Sequence, residues 1–243
     1  MRIPVDPSVV RRRAAIEKEI HDLERWGTTG NRIEGNFDIC TEGIAIIMLK
    51  TTSDQSDSIC VVDVETTGLN PEDGCVVVEV ALVIRLDDGE IEEFSCLLKY
   101  SEDYKDRIDA ATKWNGINFE MTNDKGVDRE LAAKNLSNIF SLIKEKNIPV
   151  MSYVAGFDKK FIESFMMGEG YEVDIEIGCL MIEALKTINK EGAIGIKRMK
   201  LSTAMRYFGL DDSANNHRAL SDCYAALQLH DFVKNKNKKK MGA

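Results

Sequence analysis

Residues 61–69 read Val61-Val62-Asp63-Val64-Glu65-Thr66-Thr67-Gly68-Leu69, directly after Ile59 and Cys60. The unbroken apolar run from Ile59 to Val62 fits a strand buried on both faces, as strands inside an α/β sheet are. Side chains alternate along a strand, so the acids at i and i+2, Asp63 and Glu65, share one face. Two carboxylates side by side at the end of a buried strand repel each other, and a hard cation such as Mg²⁺, which prefers oxygen ligands, relieves that repulsion. Taken alone the pair is a moderate sign of a metal, because acids at strand ends are also ordinary solvent-facing residues.

Downstream, Val76 to Leu86 and Ile91 to Leu98 read as two strands joined at Asp87-Asp88-Gly89, since Asp-Gly is a strong hairpin turn. Leu131, Leu136, Ile139, Phe140 and Ile143 recur at helical spacing and predict a helix over 129–144, followed by a strand over 148–154 and a helix over 159–167. A last helix is expected to start near His217, with Leu220, Cys223, Tyr224 and Leu227 as its core stripe. Upstream, Asp6 and Pro7 fit a cap and first helical position, and Val9, Ile16, Ile20 and Leu23 then predict a helix over 7–25. Gly27, Gly30 and Gly35 break it, Ile44 to Leu49 is a short apolar run, and Thr51 to Ser58 suits a linker. These patterns divide the chain into an N-terminal accessory module (1–55), an α/β domain (56–233) and a lysine-rich tail (234–243). The tail holds five lysines and no acid, and reads as solvated and disordered.

The 243 residues are 44% hydrophobic and 30% charged, the profile of a folded protein. The net charge of −9 excludes a generally basic body that coats nucleic acid non-specifically. No apolar window reaches the ~18 to 20 residues a membrane span needs, and the arginine-rich start has no secretory pattern. The expected compartment is cytoplasmic. Six scattered cysteines, no two closer than 15 positions, give neither a zinc knuckle nor a redox pair and read as reduced thiols.

Two further stretches carry chemistry. Gly156-Phe157-Asp158 puts an acid at the opening of a helix, where the helix dipole favours it. His217-Arg218-Ala219-Leu220-Ser221-Asp222 places a histidine in a loop, five positions ahead of a helical acid. His21 and His230 read as ordinary surface or satisfied residues.

In this order the three stretches resemble the motifs of the DEDDh, or DnaQ-like, 3′→5′ exonuclease family. Asp63, Glu65, Thr66, Thr67 and Gly68 match its first motif, Phe157 and Asp158 its second, and His217, Ala219 and Asp222 its third. Softer matches are Gly116 with Ile117, and Lys200-Leu201-Ser202 opening a helix that ends at Phe208 and Gly209. The resemblance covers about residues 59–233. It implies an RNase H-like fold, a mixed five-stranded sheet flanked by helices, with the N-terminal helical extension outside it.

The resemblance also implies a mechanism with two divalent ions, Mg²⁺ or Mn²⁺, ~3.5 to 4 Å apart. Asp63, Glu65, Asp158 and Asp222 would hold them, and His217, whose ordinary pKa of ~6.5 leaves it neutral, would be the general base. Thr66 and Thr67 would hold the 3′ end through backbone groups, Leu69 would wedge against the terminal base, and Phe157 would pack beneath it. The expected partner is single-stranded nucleic acid, DNA ahead of RNA, with a polymerase or a second copy of the chain as further contacts. RNA trimming and a weakly catalytic binding module stand as alternatives. Lys197, Arg198 and Lys200 read first as solvated surface and second as contacts to the strand's phosphates. One departure is Val154, where the family usually carries asparagine. Metal ligation is expected to survive it, with altered substrate preference or rate.

Overall fold

Ile59–Thr66 forms β1, at the centre of a five-stranded sheet of order β3-β2-β1-β4-β5. β2 (Val77–Arg85) and β3 (Ile91–Leu97) are antiparallel to their neighbours, whereas β4 (Val150–Ser152) and β5 (Ile177–Cys179) run parallel to β1. The computed structural model describes residues 57–189, 197–210 and 218–241. The helix expected over 7–25, the run Ile44 to Leu49 and His217 lie outside these residues. The mixed sheet is the one the family resemblance implies.

Seven α-helices are described: α1 Lys105–Asn115, α2 Phe119–Lys125, α3 Arg129–Glu145, α4 Ala155–Gly168, α5 Leu180–Asn189, α6 Leu201–Tyr207 and α7 Ala219–Met241. Strand alternation divides them into two layers. Cys60, Val62, Val64, Val80 and Leu82 face one side, where Leu136, Phe140 and Ile143 of α3 and Phe161, Ile162 and Met166 of α4 complete a core. Ile59, Val61, Ala81 and Val83 face the other, against Leu180 and Ala184 of α5, Ala204 and Met205 of α6, and Ala219, Cys223 and Ala226 of α7. Both faces of β1 are therefore covered, as its continuous apolar run requires.

The predicted hairpin closes at Leu86 to Glu90, with Gly89 at φ 86° supplying the left-handed turn residue. Other elements differ from expectation. The strand expected over 148–154 is only Val150–Ser152, and its helix starts at Ala155 instead of Lys159, placing Asp158 in the first turn. β5 carries no apolar run and could not be read locally. α1 and α2 were not foreseen because they are mostly polar, α1 burying only Ile108, Ala111 and Asn115.

The lysine-rich end is a correction to the sequence reading: instead of a disordered tail, helix α7 continues to Met241. Local tertiary contacts hold it. Lys234 pairs with Asp57, the Lys236 ammonium lies 5.4 Å from the ring centroids of both Phe208 and Phe232, and Asn237 donates to Thr187.

Asn115 couples α1 to the strand that carries the acids. Its amide donates to the Thr66 carbonyl at 3.2 Å and its carbonyl accepts from Ile117 N–H at 2.9 Å, at 1% exposure. Gly116 then ends α1 in the left-handed region at φ 72°. Asn115→Asp keeps the acceptor and the shape but loses the donor, opposing an oxygen to a buried carbonyl. It is expected to cost about 1–3 kcal/mol, measured as a Tm lowered by several degrees in thermal denaturation.

Candidate active site

The face of β1 that carries Asp63 and Glu65 is the face on which α7 packs. In the register of β1 with β2, Asp63 stands opposite Ala81 and Glu65 opposite Glu79. The small Ala81 lets α7 approach, and Cys223 Sγ reaches the Ala81 carbonyl at 3.4 Å. Asp222, the residue before Cys223, is thereby delivered to the acids of β1. One carboxylate oxygen from each of Asp63, Glu65 and Asp222 lies within 4.8 Å of the others. This spacing and an all-oxygen donor set suit a hard divalent cation.

Asp158 enters from α4, whose start follows β4, the parallel neighbour of β1. It is 3% exposed and accepts a hydrogen bond from the Ser152 hydroxyl. Sequence reasoning did not single out Ser152. Val154 sits at the N-cap of α4 without a side-chain cap bond, its side chain exposed.

The electrostatics match four acids converging in a partly dry site. Burial, then the charges of Asp158, Asp222, Glu65 and Glu79, push Asp63 well above the usual carboxylate range. Burial and then Asp222 and Glu79 push Glu65 up to about 8, against a smaller pull from Arg218. Burial also raises Asp158, opposed by the hydrogen bonds from Ser152 and from backbone groups at Val64 and Val154. Bound cations reverse this logic by stabilising the ionised forms.

The residues expected to meet a nucleotide lie around the turn after β1. Thr66 donates its hydroxyl to the Gly68 carbonyl at 2.6 Å, and Thr67 exchanges a backbone N–H bond with the Val76 carbonyl while its hydroxyl oxygen accepts from Val76 N–H. A Cβ on Gly68 would collide with Cys75 Sγ, so a larger residue there requires the Cys75 side chain to move. Leu69 is 81% exposed, and its carbonyl is held by Lys160 Nζ at 2.6 Å. Lys160 also lies over the rings of Phe157 and Phe161, which are 4.9 Å apart. Phe157 is thus partly buried, with Leu69 held above the α4 start by the same lysine.

Glu79 is the functional candidate that the sequence reading missed. It lies in an apolar stretch of β2 and is 2% exposed. The Arg218 guanidinium reaches both of its oxygens, with Nε at 3.0 and 2.9 Å and Nη2 closing the fork. An acid at an alternate position of an otherwise apolar strand was the available signal. Lys197, Arg198 and Lys200 are exposed, and Met199 between them is held through its carbonyl by the hydroxyl of Tyr153, the residue before the N-cap of α4, at 2.8 Å.

Comparison with known proteins agrees with this geometry. The family model described as RNase_T, Exonuclease, matches residues 60–230. Comparison with curated proteins gives no match. Among solved structures, E. coli Exonuclease I in complex with a dT13 oligonucleotide is similar at a TM-score of 0.62 and 18% identity, over 76% of this chain and 42% of that one. The chain therefore spans about two fifths of the Exonuclease I chain it matches. The nuclease domain of 3′hExo, a DEDDh family member, bound to rAMP, is similar at a TM-score of 0.57 and 16% identity, over 75% of this chain and 93% of that one. A 3′-exonuclease in 3′-end specific recognition of histone mRNA stem-loop is similar at 0.56 and 14% identity, over 98% of this chain and 76% of that one.

The chain belongs to the exonuclease family described as RNase_T, and shares its α/β fold with these nucleases. Among the described residues no helix is long and apolar enough to cross a membrane.

The raised acids have a consequence for stability in the absence of metal. Between the ordinary value of 4.5 and about 8, Glu65 binds more proton in the folded state than in the unfolded state. Stability must then fall as pH rises through that window. With chelator present, Tm is expected to decline from pH 5 to 8. Mg²⁺ or Mn²⁺ should restore most of the loss at pH 8, and Glu65→Gln should flatten the decline.

Proposed function

We propose that the protein is a metal-dependent 3′→5′ exonuclease that shortens single-stranded DNA one nucleotide at a time and releases 5′-mononucleotides. The observation that carries the reading is the convergence of Asp63, Glu65 and Asp222 within ligand distance on one sheet face. Membership of the exonuclease family supports it independently.

In this reading Asp63, Glu65, Asp158 and Asp222 hold two divalent ions, Mg²⁺ or Mn²⁺. When bound, such ions lower the pKa of water and neutralise charge on phosphoryl oxygens. The remaining work belongs to the chain. His217 takes the proton of the attacking water; the new P–O bond forms as the bond from phosphorus to the O3′ of the preceding nucleotide breaks. That oxygen leaves as the new 3′ hydroxyl after gaining a proton, and the phosphate departs on the 5′ side of the freed nucleotide.

Substrate placement uses the turn after β1. The exposed Leu69 side chain wedges against the terminal base, with Phe157 as the floor. At Thr66 and Thr67, the backbone N–H of Thr67 and the carbonyl of Thr66 already serve the fold. The Thr67 hydroxyl accepts from Val76, which leaves its proton for the substrate's 3′ end. Lys197, Arg198 and Lys200 follow the phosphates of the incoming strand.

RNA 3′ ends are the second reading, favoured by likeness to the nuclease domain of 3′hExo bound to rAMP, which the chain matches over 93% of its length. The first 55 residues serve as an accessory module that contacts a polymerase or a second copy of the chain. Proofreading or repair in the cytoplasm would employ such an activity.

The test is digestion of 5′-labelled single-stranded DNA and RNA of matched sequence with Mg²⁺, Mn²⁺ or chelator. A ladder that shortens from the 3′ end only with metal is expected, faster on DNA. Asp63→Asn should reduce cleavage by about 10²-fold or more while raising the metal-free Tm, because it removes one repelling charge. Binding of either strand without cleavage would overturn the enzymatic reading.

A further inference from the structure

We infer that Glu79 and Arg218 form a positioning clamp that fixes where Asp222 stands against Asp63 and Glu65 and keeps a fifth carboxylate out of the ligand set. The inference rests on the metal-dependent reading above.

Glu79 is directly opposite Glu65 in the antiparallel register, so both carboxylates project from the same sheet face. By residue type and place it could itself join the acids. Its oxygens are otherwise engaged: both receive the Arg218 fork, and Oε2 also accepts the Ala219 N–H at 3.0 Å. Ala219 opens α7, and the first amides of a helix have no partner within it. One buried side chain thus neutralises Arg218 and anchors the first turn of α7 to β2.

That turn is the one that carries Asp222. The Asp222 N–H bonds to the Arg218 carbonyl at 3.0 Å, so the clamp and the acid are the two ends of a single helical turn. Fixing Arg218 and Ala219 against β2 sets the height and rotation of Asp222 above β1, with Cys223 on Ala81 as the second anchor. Arg218 also follows His217 directly, so the chain that bears the proposed base leaves from the same clamped point. The guanidinium draws Glu65 toward its ionised form.

A pair with a merely structural role would change Tm and leave the metal affinity and turnover of the folded protein alone. The full-length chain should be compared with Glu79→Gln, Arg218→Gln, Arg218→Lys and the double Glu79→Gln/Arg218→Gln variant. Mn²⁺ affinity is measured by calorimetry without nucleic acid, and kcat and KM on a single-stranded oligonucleotide at saturating Mn²⁺. Glu79→Gln and Arg218→Gln are expected to weaken Mn²⁺ binding and lower kcat by about 10–100-fold each, with KM for the oligonucleotide little changed. Arg218→Lys, which keeps the charge and loses the fork, should fall between. The double variant should be no worse than the poorer single one, because both remove one device.

Folded variants that bind Mn²⁺ and turn over like the wild type would overturn the clamp. If Glu79→Gln does not fold, Arg218→Gln decides alone, since that side chain is 41% exposed. A wild-type protein that neither binds Mn²⁺ nor cleaves would instead remove the metal-dependent reading, and the clamp with it.

Discussion

Mutual repulsion among carboxylates on one face of a sheet is the constraint around which this protein is built. Asp63 and Glu65 share that face because they are two residues apart on β1, and the register with β2 adds Glu79 opposite Glu65. α7 brings Asp222 to within ligand distance, and α4 brings Asp158 from the parallel side. Burial raises Asp63, Glu65 and Asp158 above their ordinary values, and the charges of the neighbouring acids add to the rise at Asp63 and Glu65. A site strained in this way is poised to bind cations, since ions convert the repulsion into ligation.

The rest of the fold makes that concentration of charge tolerable. Large apolar layers on both sides of β1 hold the strand at the centre of the sheet against local repulsion. Small residues do the complementary work. Ala81 opposite Asp63, with Ala219, Cys223 and Ala226 along α7, allows helix and sheet to approach closely enough for three short carboxylates to converge. Arg218 pairs with Glu79, the buried acid opposite Glu65, and Ser152 donates to an oxygen of the buried Asp158.

The turn after β1 follows different physics, with few buried contacts and a backbone held by short polar links. Lys160 ties the Leu69 carbonyl to the start of α4, Cys75 packs against Gly68, and Asn115 fastens the end of β1 to α1. Leu69 is left projecting into solvent while Lys160 holds its backbone carbonyl. Val154, at the N-cap of α4, gives that helix no side-chain cap. Rigid support beneath an exposed apolar tip fits the role proposed for Leu69 as a wedge against the terminal base.

Local pattern alone determined the central strand, the hairpin, the main amphipathic helices and the order of Asp63, Glu65, Asp158, His217 and Asp222. Such features depend on neighbours a few positions apart, and periods of 2 and 3.6 residues report them. β5 and α1 escaped that reading because three residues, or a polar helix with a narrow buried stripe, leave no such period. The lysine-rich end misled it, since the charge run looks solvated while contacts with Asp57, Phe208 and Thr187 hold it as helix. Only the tertiary structure decided that Glu79 faces Glu65 and grips a helix start 140 residues away in the chain. Register across strands and the height of a helix above a sheet are set by packing of the whole core, and no local stretch of sequence carries that information.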